Sequence, residues 1–171
     1  MDNSLDRLLS LDQIRQLASR YAHAVDSRDL DSLVALFVDD VYVGAGGTGR
    51  DALKQNFDAR LRRFTTSIHF VCNHIIDFDS PDHAHGLVYT RAEHEMESKW
   101  IVLALQYQDT YEQRAGQWYF VRRKPLPWYA ADMLERPTGR RKIRWPDMPH
   151  AAAPVPAAYP TWAAFWNVQG T

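Results

Sequence analysis

The chain has 171 residues, with 20 Lys and Arg against 21 Asp and Glu and a net charge of −1. That balance, with a sequence pI near 6.6, offers no electrostatic argument for a nucleic acid or a membrane surface, so neither is expected as a partner. One domain is expected at this length, and the lone Cys72 excludes an intrachain disulfide and a cysteine-based zinc site, leaving a cytoplasmic, metal-free protein as the expectation.

Ser10-Leu11-Asp12-Gln13 has the capping-box pattern, which predicts a first helix starting near Leu11. Ile14, Leu17, Ala18, Tyr21 and Val25 follow at spacings of three and four, an apolar stripe for a core. Ala18, Ala22 and Asp26 form a row beside it, so the carboxylate falls at the edge of the buried face with only small side chains before it. Asp29-Leu30-Asp31-Ser32 opens a second helix, buried through Leu33, Leu36 and Phe37 and ending near Val38. Asp39–Val43 is expected as a brief strand, closed by a loop holding four of the residues Gly44–Gly49 as glycine. No Gly-Lys-Ser/Thr follows, so the loop does not match a phosphate-binding motif.

Leu53, Phe57, Leu61 and Phe64 restore helical spacing over Arg50–Phe64. The period then changes to two. Runs over Thr65–Phe78, Ala84–Thr90, Trp100–Tyr111 and Gln117–Arg123 are rich in β-branched and aromatic residues, which predicts four strands joined as hairpins. Alternation places Ser67, His69, Val71 and Asn73 on one face of the first, with Ile68, Phe70, Cys72 and His74 on the other. Both faces are largely apolar, so one is expected to close a pocket and the other to pack on another subunit. Beyond Pro125 the prolines are expected to break any long element. Trp128, Tyr129, Trp145, Tyr159, Trp162, Phe165 and Trp166 are too many large apolar side chains for a free tail. Residues 1–130 are therefore expected as the folded domain and 131–171 as an extended tail on that domain or a partner subunit, with Trp162–Trp166 as a short docking helix.

The chemistry concentrates in Tyr21, Asp26 and His69. A carboxylate that orients an imidazole makes a general base, although the residues alone also permit a buried histidine satisfied by a backbone partner, or an Asp26 that caps the following turn. The motifs Tyr21-(four residues)-Asp26-Ser27-Arg28-Asp29, Leu33–Asp40 and Ser67-Ile68-His69-Phe70-Val71-Cys72-Asn73, in this order of elements, resemble the SnoaL-like group of the nuclear-transport-factor-2-like superfamily over about residues 8–125. That resemblance implies an α+β fold, a cone-shaped curved antiparallel sheet wrapped around three N-terminal helices.

It also implies a cofactor-independent lyase of the dehydratase type acting on a hydrophobic cyclic small molecule. His69 would be the base, Asp26 its orienting partner and Tyr21 a third catalytic group, with Tyr42, Val71 and His94 contacting substrate. Glu93, Glu95 and Glu97 around His94 point rather to a solvated hairpin end. A homo-oligomer, dimer or trimer, is expected. A ketosteroid-type isomerase or polyketide cyclase needs much the same parts, whereas a non-catalytic assembly subunit, such as the small subunit of a ring-hydroxylating dioxygenase, shares the fold and needs no Asp–His pair.

Overall fold

The apolar row of the first helix seats it against the sheet: Ile14, Leu17, Ala18, Tyr21 and Val25 are all buried. The computed structural model describes residues 3–167, which form α1 (Asn3–Ser27), α2 (Leu30–Ala35), a 3-10 turn at Gly44–Gly46, α3 (Arg50–Leu61), the strands β1 (Thr66–Phe78), β2 (His83–Met96), β3 (Lys99–Arg114) and β4 (Gln117–Asp132), and α4 (Pro160–Asn167). The strands pair antiparallel in the order β1-β2-β3-β4, a meander whose inner face packs on the N-terminal helices. Its core joins Leu33, Val34 and Phe37 to Val88, Ala92, Leu105, Tyr107, Tyr111, Trp118 and Phe120. This is the expected α+β cone.

Four local expectations are corrected. The first helix begins at Asn3, not near Leu11, because Gln13 is used elsewhere. Its Oε1 accepts the Trp118 backbone N–H at 3.2 Å, holding the β3–β4 turn, while Arg7 lies 4.4 Å over the Phe78 ring and keeps the added turns on the body. Asp39–Val43 forms no strand beyond a single bridge between Tyr42 and Thr48. The glycine loop closes on itself instead, with Val43 N–H donating to Gly47 O at 2.9 Å.

The third correction concerns proline. β4 runs through Pro125 and Pro127 to Asp132, opposite Tyr107 and Leu105. An edge strand tolerates proline where the missing N–H would have faced away from its neighbour. The fourth is a register shift in β1 between Val71 and His74. A bulge reverses the alternation after it, so Asn73 is exposed and His74 turns inward against Tyr111.

The segment after β4 continues along that edge. Ile143 bridges Ala130 on one side and Ala151 on the other, and Ile143 and Trp145 pack on Met96, Ile101 and Ala130. Val155 is fully buried, and α4 ends the described chain. Residues 168–171 of the expected tail lie outside the described residues.

Candidate active site

The end of α1 sets the site. Arg28 adopts a left-handed φ of 61°, and two bonds close the helix: Arg28 N–H donates to Val25 O at 3.2 Å and Asp29 N–H to Ala24 O at 3.0 Å. This pair is the Schellman arrangement, and it leaves Asp26 as the last residue in regular helical position. Asp29 begins α2 by accepting the Ser32 N–H at 3.0 Å, so Asp29, not Asp26, serves as the cap.

Asp26 meets β1 twice. Its Oδ1 lies 2.6 Å from His69 Nδ1 and its Oδ2 accepts the His69 backbone N–H at 2.8 Å. Burial pushes the Asp26 carboxyl up, but the His69 and Ser67 hydrogen bonds and the His69 charge together outweigh it, and the group sits below the ordinary carboxylate range. An ionised carboxylate only accepts, so Nδ1 carries the proton, and in the neutral ring Nε2 is the nitrogen with the free lone pair. The His69 side chain is 7% exposed. Arg28 clamps the same junction: Nη1 donates to Ser67 Oγ at 2.6 Å and Val25 O at 2.7 Å, and Nη2 to Phe64 O at 3.2 Å.

His94 belongs to this group and is not at a solvated hairpin end. It is buried with its ring 5.5 Å from that of His69 and stacked at 4.4 Å on Phe64. Desolvation, with His69 adding to it, pushes His94 down to about 4, so it is neutral at pH 7 and its Nδ1 has no hydrogen-bond partner. Trp145 completes the wall at 5.8 Å from Phe64 and 5.9 Å from His94. The Arg63–Asp147 ion pair at 2.5 Å holds its segment to the end of α3. Val71 lies on the same inner face, packed against the core.

Tyr21 is buried and faces a second polar cluster. Its ring lies 5.9 Å from that of Tyr107, and the Arg123 guanidinium sits 4.3 Å over Tyr21 and 3.9 Å over Tyr107. Burial, with Tyr107 beside it, raises the Tyr21 hydroxyl well above its ordinary value. Arg123 is 3.7 Å from Asp109; Asp109 accepts from Tyr111 at 3.0 Å, and Tyr111 is 3.1 Å from His74 Nε2. Desolvation pushes Asp109 up to about 6 against the pull of Arg123. Arg123 Nε and Nη1 and Asp109 Oδ1 are buried without hydrogen-bond partners. Opposite His69 on this sheet stand Ala92 and Leu103; from Leu103 to Tyr107 is two inward steps of β3, roughly 13 Å.

Tyr42 is not brought to this interior. It is 78% exposed on the glycine loop, because the brief strand that would have carried it inward does not form. Arg28, Arg123, Asp109 and Trp145 were not anticipated as members of the site. For Asp109 a signal exists, since it shares the inward parity of β3 with Tyr107 and Tyr111; for Arg123 alternation from Trp118 and Phe120 points to Arg122 instead, and only the register shift between β3 and β4 turns Arg123 inward; for Trp145 nothing local indicates the site. Among the described residues no group of three or more His, Cys, Asp or Glu could hold a metal ion. Among the described residues, a groove of about 810 Å³ opens between α1, α2 and the start of β4, and neither Asp26 nor His69 lines it.

A model of the SnoaL-like domain matches residues 6–124. A scytalone dehydratase-like protein from Novosphingobium aromaticivorans has a similar structure, with a TM-score of 0.69 and 27% identity over 90% of this chain and 97% of that one. The hexachlorocyclohexane dehydrochlorinase LinA-type3 from Novosphingobium barchaimii is similar at a TM-score of 0.69, with 27% identity over 77% of this chain and 95% of the other. An aromatic-ring-hydroxylase-like protein from Novosphingobium aromaticivorans, at 19% identity over 78% and 97% with a TM-score of 0.63, shares the fold. No curated protein matches the chain.

Proposed function

Because the chain belongs to the SnoaL-like family, we propose that it is a lyase carrying out a dehydratase-type elimination on a hydrophobic cyclic small molecule, without a cofactor. The observation that carries this reading is the double hydrogen bond between Asp26 and His69. In it, His69 Nε2 takes a proton from a carbon next to a carbonyl or similar activating group. The electron pair of that C–H bond becomes the new double bond, and the leaving group departs with the pair that held it. Asp26 orients the ring and stabilises the imidazolium. His94, neutral and with an unpartnered Nδ1, is placed to bind a substrate oxygen, and Val71 gives the ring system an apolar contact. Tyr21 acts from the far end of the interior beside Arg123, whose free N–H groups suit an oxygen that gains charge. The substrate enters past Phe64 and Trp145, the part of the wall built neither from α1 nor from the regular sheet.

Isomerisation of a ketosteroid type, or cyclisation, would use the same base. The reading from another class, a non-catalytic assembly subunit, draws on the groove lying outside the cone. A screen of hydroxylated polycyclic ketones for loss of water separates these readings. Turnover that falls about 10²–10⁴-fold in His69→Ala and in Asp26→Asn, with unchanged circular dichroism, is the expected result. A His69→Ala variant as fast as the parent on an identified substrate would remove the base, and no turnover or ligand binding across the screen would favour the assembly subunit.

A further inference from the structure

Among the buried side-chain atoms without a hydrogen-bond partner is Thr90 Oγ1, a group with no part in the elimination described above. Thr90 is 4% exposed and stands on the inner face of β2. That face also carries Val88, Ala92 and His94, all buried, while Arg91 and Glu93 pair at 3.1 Å on the outer face. The residues directly across the sheet from Thr90 are Val71 on β1 and Leu105 on β3, and neither side chain can donate or accept. A valine would fill nearly the same volume against these two. The hydroxyl therefore gives up its bonds to water on folding and gains none from the chain in return.

The register places that hydroxyl beside the base. His69 is paired with Ala92, and its two diagonal neighbours on the inner face of β2 are His94, opposite Ser67, and Thr90, opposite Val71. Diagonal pairs of this kind stand about 7–8 Å apart, within reach of large side chains. The His94 ring accordingly lies 5.5 Å from that of His69. Thr90 and His94 thus flank His69 on either side, each with a buried polar atom that has no partner. Between them Ala92 presents only a methyl group. Two such atoms beside one imidazole suit a substrate with oxygens on both sides of the carbon that gives up its proton.

We propose that the Thr90 hydroxyl is a substrate-binding group that holds a hydroxyl of the substrate on the side of His69 away from His94. The inference rests on His69 as the base. It narrows the substrate to molecules with oxygen functions on both flanks of the reacting carbon, and a hydrocarbon halide satisfies neither Thr90 nor His94. A threonine hydroxyl both donates and accepts, so it matches a substrate hydroxyl in either sense.

The test compares two ligands that differ only in that hydroxyl, 3-hydroxy-1-indanone and 1-indanone. Binding is measured by calorimetric titration in a His69→Ala chain, where the ligand is not consumed, with and without Thr90→Val or Thr90→Ser. The hydroxylated ligand is expected to bind ~10-fold more tightly than 1-indanone when Thr90 is present, and within ~2-fold of it in Thr90→Val. Thr90→Ser keeps most of the preference. In the chain with His69 intact, Thr90→Val lowers kcat/KM for loss of water from 3-hydroxy-1-indanone by ~10-fold and melts no lower than the parent. An unchanged preference in Thr90→Val overturns the proposal, as does an equal loss for both ligands or a lowered melting temperature, either of which would make Thr90 a packing residue. In those cases turnover that still requires His69 leaves the elimination standing. Thr90-dependent binding without any turnover supports the subsite and removes the elimination instead, and a chain that binds neither ligand overturns both.

Discussion

At the scale of single residues, the position of Asp26 depends on Arg28 more than on any feature of its own. Arg28 holds a left-handed backbone at the end of α1, where glycine would be relaxed and an arginine costs about 1–2 kcal/mol. Its guanidinium joins Val25, Ser67 and Phe64 across the junction that brings α1 to β1. Strain kept at such a place is offset by what it positions. In Arg28→Gly the two effects separate. Relief of the backbone compensates for much of the lost clamp, so thermal stability moves by no more than about 1 kcal/mol. A dyad loosened by an ångström loses on the order of 10²-fold in turnover. Scanning calorimetry alongside the elimination assay reads both, and a variant as active as the parent would show that the clamp positions nothing.

At the scale of elements, the β1 bulge and the close approach of β2 to Tyr111 decide what the inner face contains. The bulge sends His74 inward, to Tyr111 and through it to Asp109. Gly86 makes room for that arrangement: a Cβ there would stand 2.6 Å from Ile75 O and 3.2 Å from a Tyr111 ring carbon. Gly86→Ala must therefore push β1 or Tyr111 aside, at about 1–3 kcal/mol of overpacking. For a chain of this size that lowers the melting temperature by roughly 2–12 °C. A melting temperature equal to that of the parent would mean that β1 yields at no cost.

At the scale of the whole molecule, the buried titratable groups set how stability depends on pH. Burial lowers His94 and His74 to about 4 from the ordinary histidine value of 6.5. Both stay neutral in the fold while the unfolded chain takes up protons below pH 6.5. Their contribution is present above that pH and is lost as pH falls toward 4. Asp109, raised by burial to about 6 from 3.8, works in the opposite sense, since its ionisation destabilises the fold as pH rises from about 4 to 6. Two histidines oppose one carboxyl, so denaturant midpoints are expected to fall between pH 6.5 and 4. His94→Phe, which keeps the stacking surface on Phe64 and removes the titration, should flatten that fall, and an unchanged slope would place the acid sensitivity elsewhere.

The sequence by itself determined the class of fold and the two ends of the dyad. Helical spacing from Ile14 to Val25 and the change to period two after Phe64 are local patterns, and both report which side of an element meets a core. Asp26 at the edge of the first stripe and His69 on the inward parity of β1 were legible for the same reason. What only the tertiary structure decided came from contacts between distant segments. Gln13 is drawn to Trp118 and so does not cap a helix, Tyr42 is left outside because its loop closes on itself, and β4 passes through two prolines because it lies at an edge. His94 is taken out of water by Phe64 and Trp145, and Arg123 meets Asp109 across two strands. None of these follows from a residue and its near neighbours, because each depends on what the folded chain places opposite it.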